Sequence, residues 1–346
     1  MESGLLSQHR EYSLGIPTIL QKYWLKIYPT KNTKNSTVKF LSELDWIPYA
    51  SYKYDWLLDT FFLHNTLFVA GTTFLVLLIL ILWNRKVLLK ELKLNKKSAA
   101  MLLMIFLAGF ALRNSNYSLG QHTDGWVYAE SAKFIVEKGL YVKDCAVGNL
   151  RECRLYEQVL APPGYPFLIS VVYLLFGINS LHACIITGIL GSLTILIVFY
   201  ITKKMFGENA AFISAIILTT FPHDLLFAGS GQARPVSMFF VSLTLLFYLI
   251  ALENRRKELW ALVGAAFSYS IYVRQENIVL LLPMVVGLFL FDYFKNKEFR
   301  RKKPFKKAKI FFNQITPALV VFLITQAPVQ YWVIFSNISE NSKYLW

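Results

Sequence analysis

Residues 162–177 read PPGYPFLISVVYLLFG, and the reading of this stretch decides how the chain is threaded. From Pro166 to Phe176 it is apolar but only about a dozen residues long, whereas a bilayer-crossing helix needs roughly 20. If it crosses, Lys203-Lys204, Arg255-Arg256-Lys257 and the basic segment Lys295–Lys309 all fall outside. That placement opposes the tendency of lysine and arginine to remain cytoplasmic. If it is re-entrant or lies in the interface, every one of these clusters falls inside. The second reading is adopted.

The threading follows from it. The run Leu67–Trp83 spans, and the loop Asn84–Lys97, with six basic residues against Glu91, is cytoplasmic. Ser98–Leu112 leads outward, and Ala183–Thr202 leads back in to Lys203-Lys204. Ala210–Phe221, Val236–Leu252, Trp260–Val273, Ile278–Phe294 and Thr316–Phe335 alternate after that. The expected fold is all-α, a polytopic transmembrane helical bundle of about eight spanning helices, with a long extracytoplasmic first loop carrying interfacial helices. Composition agrees: 55% of the 346 residues are hydrophobic and mean hydropathy is +0.44, more apolar surface than a soluble exterior tolerates. The net charge of +15 resides in short loops between apolar runs, which points to membrane orientation and not to nucleic acid.

Four regions result. Residues 1–60 are a polar or interfacial tail without the pattern of a cleavable signal peptide. Residues 61–97 hold an extra N-terminal helix and the basic loop, 98–335 the main transmembrane module, and 336–346 a C-terminal tail. Within the module, residues 113–166 form the long outer loop, with a helix-compatible segment at Trp126–Val136. The conspicuous ionisable groups gather on this outer face: Arg113, Asp124, Glu130, His223-Asp224, Arg234, and Arg274 with Glu276. They are expected to line one polar cavity. Cys145 and Cys153 share the outer loop, where an oxidising environment would let them pair; two free thiols are the alternative. Cys184 sits in an apolar run and reads as packing. Asn116-Tyr117-Ser118 and Asn337-Ile338-Ser339 match the glycosylation acceptor pattern, which is frequent by chance.

The order of landmarks carries a resemblance. An outer loop with an early Asp124 is followed by a helix ending in Gly139-Leu140-Tyr141, by Pro162-Pro163-Gly164-Tyr165-Pro166, and by an apolar segment closing on Phe176-Gly177. Phe206-Gly207, Pro222, Pro235 and Arg274-Gln275-Glu276-Asn277 leading to Pro283 come next. Over residues 98–335 this resembles the C-type (GT-C) integral membrane glycosyltransferases, in the branch of dolichyl-phosphate-mannose protein mannosyltransferases and lipid A aminoarabinose transferases. The resemblance implies a polyprenyl (dolichyl-type) phosphate sugar donor, a glycan, lipid or protein acceptor hydroxyl, and transfer on the extracytoplasmic face of a plasma or ER-type membrane.

The residue chemistry is compatible with that implication. A lipid phosphate leaves without a general acid, one carboxylate can take the acceptor's proton, and cations can stabilise the departing phosphate. One carboxylate with several arginines differs from the paired carboxylates of a glycoside hydrolase. Asp124 is the candidate base, matching the family's early-loop Asp; a helix N-cap is its bland reading, and the two are compatible. Arg274, then Arg234 and His223, are candidates for the donor phosphate. An ion pair with Glu276 is the plain alternative for Arg274, and a helix terminus for His223. Arg113, Glu130, Pro163, Tyr165 and Glu276 are candidate substrate or loop residues, the prolines shaping the loop and Tyr165 suiting the headgroup region. No cofactor is expected to be obligatory; His122 and Asp124 with His223 or Asp224 could hold a divalent metal, but no dense ligand motif is present. The rival functions are a non-catalytic GT-C-like membrane subunit and a lipid-linked-sugar transporter or flippase, the latter disfavoured by the lack of an internal repeat.

Overall fold

The computed structural model describes residues 55–115, 117, 124–138, 162–295 and 312–326, all helical or in short turns. In chain order the helices are α1 (Asp55–Trp83), α2 (Arg85–Glu91), α3 (Lys96–Arg113), α4 (Asp124–Lys138), α5 (Gly164–Phe176), α6 (Leu181–Phe206) and α7 (Glu208–Thr220). There follow α8 (Pro222–Ala228), α9 (Ala233–Asn254), α10 (Lys257–Val273), a 3-10 turn (Gln275–Leu280), α11 (Leu281–Lys295) and α12 (Phe312–Gln326). Most of the tail expected over 1–60, Cys145, Cys153, His122 and both glycosylation triplets except Tyr117 lie outside the described residues.

Among the described residues, three helices are long and apolar enough to cross a membrane, or five if each of two bent pairs counts as one span. This is fewer than the eight apolar runs of the sequence: the last, Thr316–Phe335, passes outside the described residues after Gln326, and two others differ in charge or length. α3 carries Lys96, Lys97 and Arg113 within its 18 residues. α10 is 17 residues long and rich in serine, tyrosine and small residues because protein surrounds it. From Leu259 to Val273 only Ala261 is not buried. Small residues let such a helix approach its neighbours' backbones, which matters when lipid supplies no hydrophobic driving force between helices. A Cβ on Gly264, for instance, would lie 2.4 Å from the Ala318 carbonyl of α12.

The outward surfaces are apolar. Leu75, Leu82, Leu103, Met104, Leu107, Ile213, Ile216, Ile217, Leu282 and Leu290 are all exposed, on α1, α3, α7 and α11. Apolar faces on several helices at once suit lipid and not water. The chain is an integral membrane protein.

Its two ends differ in chemistry. At one end Lys204 pairs with Glu91 at 2.7 Å and with Glu253 at 2.6 Å, while Asn254 donates to Glu91 at 3.0 Å. Tyr200 donates to the Leu92 carbonyl, and Arg255 pairs at 2.5 Å with the fully buried Asp292 of α11. These contacts bring the basic loops after α1, α6 and α9 to one end of the bundle, as the adopted threading requires.

α5 is a short apolar helix. Its 13 residues extend about 20 Å, short of a bilayer core of about 30 Å. The Tyr165 hydroxyl, at the start of α5, lies 3.0 Å from the Ala183 carbonyl at the start of α6. Tyr173 and Phe176, near its end, pack on His182 beside that same start. α3 ends beside the same part of α6, where a Cβ on Gly188 would meet the Asn114 side chain, so the contacts of both ends of α5 gather near the start of α6.

Candidate active site

A cavity of about 260 Å³ opens at the end opposite the basic clusters, just below the usual 300–1,000 Å³ of small-molecule sites. Asp124 and Tyr128 of α4, Pro162, Gln232 to Arg234 at the start of α9, and Arg274 to Glu276 after α10 line it. Asp124, Arg234, Arg274 and Glu276 were expected to share one cavity, and here they do. The remaining expected members lie elsewhere.

Backbone contacts through two glycines hold the walls together. A Cβ on Gly125 would stand 2.4 Å from the Ser230 carbonyl, so only glycine lets the start of α4 lie against the loop that leads into α9. A Cβ on Gly164 would stand 2.7 Å from the Tyr272 carbonyl, two residues before Arg274. The Gly164 carbonyl accepts from the Tyr269 hydroxyl at 2.9 Å. Next to it, Tyr165 is fully buried; its hydroxyl lies 2.9 Å from the Gly231 carbonyl, and its ring packs under Tyr128 at 5.1 Å between centroids. The Pro-Pro-Gly-Tyr stretch therefore joins α4, α6, α9 and α10. Tyr165 is buried inside the protein and not at a headgroup, its one hydroxyl hydrogen shared between the Ala183 and Gly231 carbonyls. Pro163 is buried at the start of α5 and is not among the lining residues. Gly164→Ala is expected to cost about 1–3 kcal/mol, the usual cost of overpacking against atoms that cannot move aside. Thermal unfolding in detergent measures it, and an unchanged transition would show that the contact is not rigid.

Arg274 is held at one edge of its guanidinium. Nη2 donates to Glu276 Oε1 at 3.0 Å and Nε to Oε2 at 3.4 Å. Hydrogen bonding to Glu276, assisted by the charges of Glu276 and Asp124, pushes its pKa up and keeps it cationic. Asn277 secures the turn: its amide donates to the Ser270 carbonyl at 2.7 Å and to Ser237 of α9 at 2.9 Å. The guanidinium of Arg234 lies 4.4 Å from the Phe227 ring centroid. Such a contact holds a cation in place without neutralising it. Tyr128 is pushed up to about 12 by burial and by the nearby Asp124 charge, so it stays a neutral hydroxyl donor across physiological pH.

Arg113 does not reach the cavity. It is almost wholly buried and pairs with Asp224 through Nε at 3.0 Å and Nη2 at 2.5 Å. It also donates to the carbonyls of Leu218 at 2.7 Å and Thr219 at 3.3 Å, at the end of α7. Pro222, four residues after Leu218, has no N–H to offer that carbonyl. The guanidinium supplies it, and Asp224 in the first turn of α8 balances the charge. His223 is exposed, with its ring against Phe227 at 4.8 Å, one contact removed from Arg234. Glu130 is not among the lining residues and lies 3.9 Å from Lys133. Among the described residues no group of three or more His, Cys, Asp or Glu side chains converges.

Tyr128, Pro162, Gln232 and Gln275 join the lining without having been singled out for it. Tyr128 had one sequence signal, its spacing of one helical turn from Asp124. Gln275 stood inside the Arg274-Gln275-Glu276-Asn277 landmark, whereas Gln232 had no signal, since its place depends on where α9 and α10 meet.

No curated protein matches the chain. Over residues 161–332, which hold the cavity wall from Pro162 to Glu276, the chain matches the model of the dolichyl-phosphate-mannose-protein mannosyltransferase family.

Proposed function

We propose that the protein is a membrane glycosyltransferase of the GT-C type that moves a sugar from a polyprenyl-phosphate donor to an acceptor hydroxyl, with Asp124 as general base. The observation that carries this reading is that Asp124, Arg234 and Arg274, far apart in sequence, line one cavity at the end opposite the basic loops. The family match supplies the reaction class. By the orientation rule the basic end is cytoplasmic, which puts the reaction on the extracytoplasmic side.

The chemistry follows from charge. The acceptor oxygen attacks the anomeric carbon as the carbon–oxygen bond to phosphate breaks, and the electron pair leaves with the phosphate. The acceptor proton passes to the Asp124 carboxylate and then to solvent. Arg274 and Arg234 stabilise the negative charge that grows on the leaving phosphate, a role that fixed cations fill without reorganisation. The first amides of α9 have no side-chain cap, and helix N-termini favour anions. Tyr128 is placed to donate a hydrogen bond to a sugar hydroxyl. With two arginines in place no metal is required by this scheme.

The test is transfer in membranes supplied with labelled polyprenyl-phosphate sugars and a mixed acceptor extract. Wild type is expected to transfer from at least one donor, and Arg274→Gln to raise the donor KM roughly 10–100-fold, the worth of a charged hydrogen bond. No transfer from any donor, with protein folded and acceptors competent, would leave a non-catalytic membrane subunit.

A further inference from the structure

The cavity is lined by two guanidinium groups, Arg234 and Arg274, and two carboxylates, Asp124 and Glu276. Its formal charge is therefore zero, an unexpected balance for a site that must hold a phosphate. Asp124 has a role in the proposed reaction; Glu276 does not. Glu276 nonetheless occupies the Nε/Nη2 edge of Arg274, the edge best shaped for bidentate phosphate binding. Its side chain is 70% exposed against 35% for Arg274, so this carboxylate can be displaced at little cost.

Resting on the reading that Arg274 receives the donor phosphate, we infer that Glu276 is a specificity-determining group that weakens the cavity's hold on phosphate monoesters relative to diesters. The donor is a phosphodiester with one negative charge. The product is a monoester with nearly two, its second pKa lying near 6. Two arginines alone would bind the product more tightly than the donor and hold it in place after transfer. A carboxylate tethered two residues from Arg274 stays near the bound phosphate even when displaced from the guanidinium edge, and it opposes the dianion twice as strongly as the monoanion. At about 6 Å in a water-like dielectric, each unit of ligand charge changes affinity roughly threefold.

The test compares farnesyl phosphate with its methyl ester, probes that share a chain and differ by one charge, on wild type, Glu276→Gln and Arg274→Gln in detergent. At pH 7.5, Glu276→Gln is expected to tighten the monoester roughly tenfold and the diester roughly threefold. Their affinity ratio thus shifts about threefold, and at pH 5, where both probes carry one charge, the shift disappears. An unchanged ratio at pH 7.5, or weaker binding of both probes, would overturn the inference; the latter would make Glu276 an orienting group for Arg274. The underlying reading is judged separately: if Arg274→Gln binds both probes as wild type does, the cavity is not the phosphate site.

Discussion

Asp124→Asn is expected to reduce sugar transfer by about 10²–10⁴-fold, the usual worth of a general base, with little change in donor KM. The substitution keeps the size of the side chain and its capacity to cap a helix, but it removes the carboxylate proposed to accept the proton. Asp124 is the first residue of α4, exposed on the cavity wall, and makes no hydrogen bond within the described protein on which the fold depends. Gly125 fixes the helix end against the Ser230 carbonyl whichever residue precedes it. A loss of kcat with an intact melting transition would therefore report chemistry. Equal transfer by both proteins would remove Asp124 as base and redirect the assignment to Glu276, the other carboxylate of the lining.

Arg113→Met is expected to destabilise the protein by about 3–5 kcal/mol, as when one partner of a buried pair is removed. The Asp224 carboxylate loses its charged partner, and the carbonyls of Leu218 and Thr219 lose the guanidinium's hydrogen bonds, Leu218 keeping only the long one from the Phe221 N–H at 3.4 Å. In an apolar environment none of them finds water. The double variant Arg113→Met/Asp224→Leu is expected to recover part of the loss, since the uncompensated charge is gone, but not all, since the two carbonyls remain. Thermal unfolding in detergent, with the single and double variants side by side, measures both steps. A single variant as stable as wild type would show that the bend between α7 and α8 needs no such clip.

These two residues stood together in the sequence as ionisable groups at the outer face, and the structure separates them. A charge placed near the end of an apolar run must be satisfied, but the sequence does not say by what. For Arg113 the answer depended on Pro222, more than a hundred residues away, and on the bend of 56° that it marks. For Asp124 it depended on Gly125 and Gly164, whose close contacts set α4 and α5 against the loop before α9 and the end of α10.

What the sequence by itself determined was the helical membrane class, the basic clusters of 85–97, 203–204 and 255 that the structure gathers at one end, and the shortness of the α5 segment, the basic segment Lys295–Lys309 lying beyond Lys295 outside the described residues. Each of these follows from local quantities, namely run length, charge position and proline or glycine punctuation, which do not need a partner to be read. Only the tertiary structure decided which ionisable groups converge. It put Arg234, Arg274, Glu276 and Asp124 around one cavity and gave Arg113 to a broken helix. It also buried Tyr165 as the joint of four elements and brought in Tyr128 and the two glutamines. The physical reason is that a side chain's role at a helix end is set by what the opposing backbone leaves unsatisfied, and that is a property of packed helices and not of any one segment.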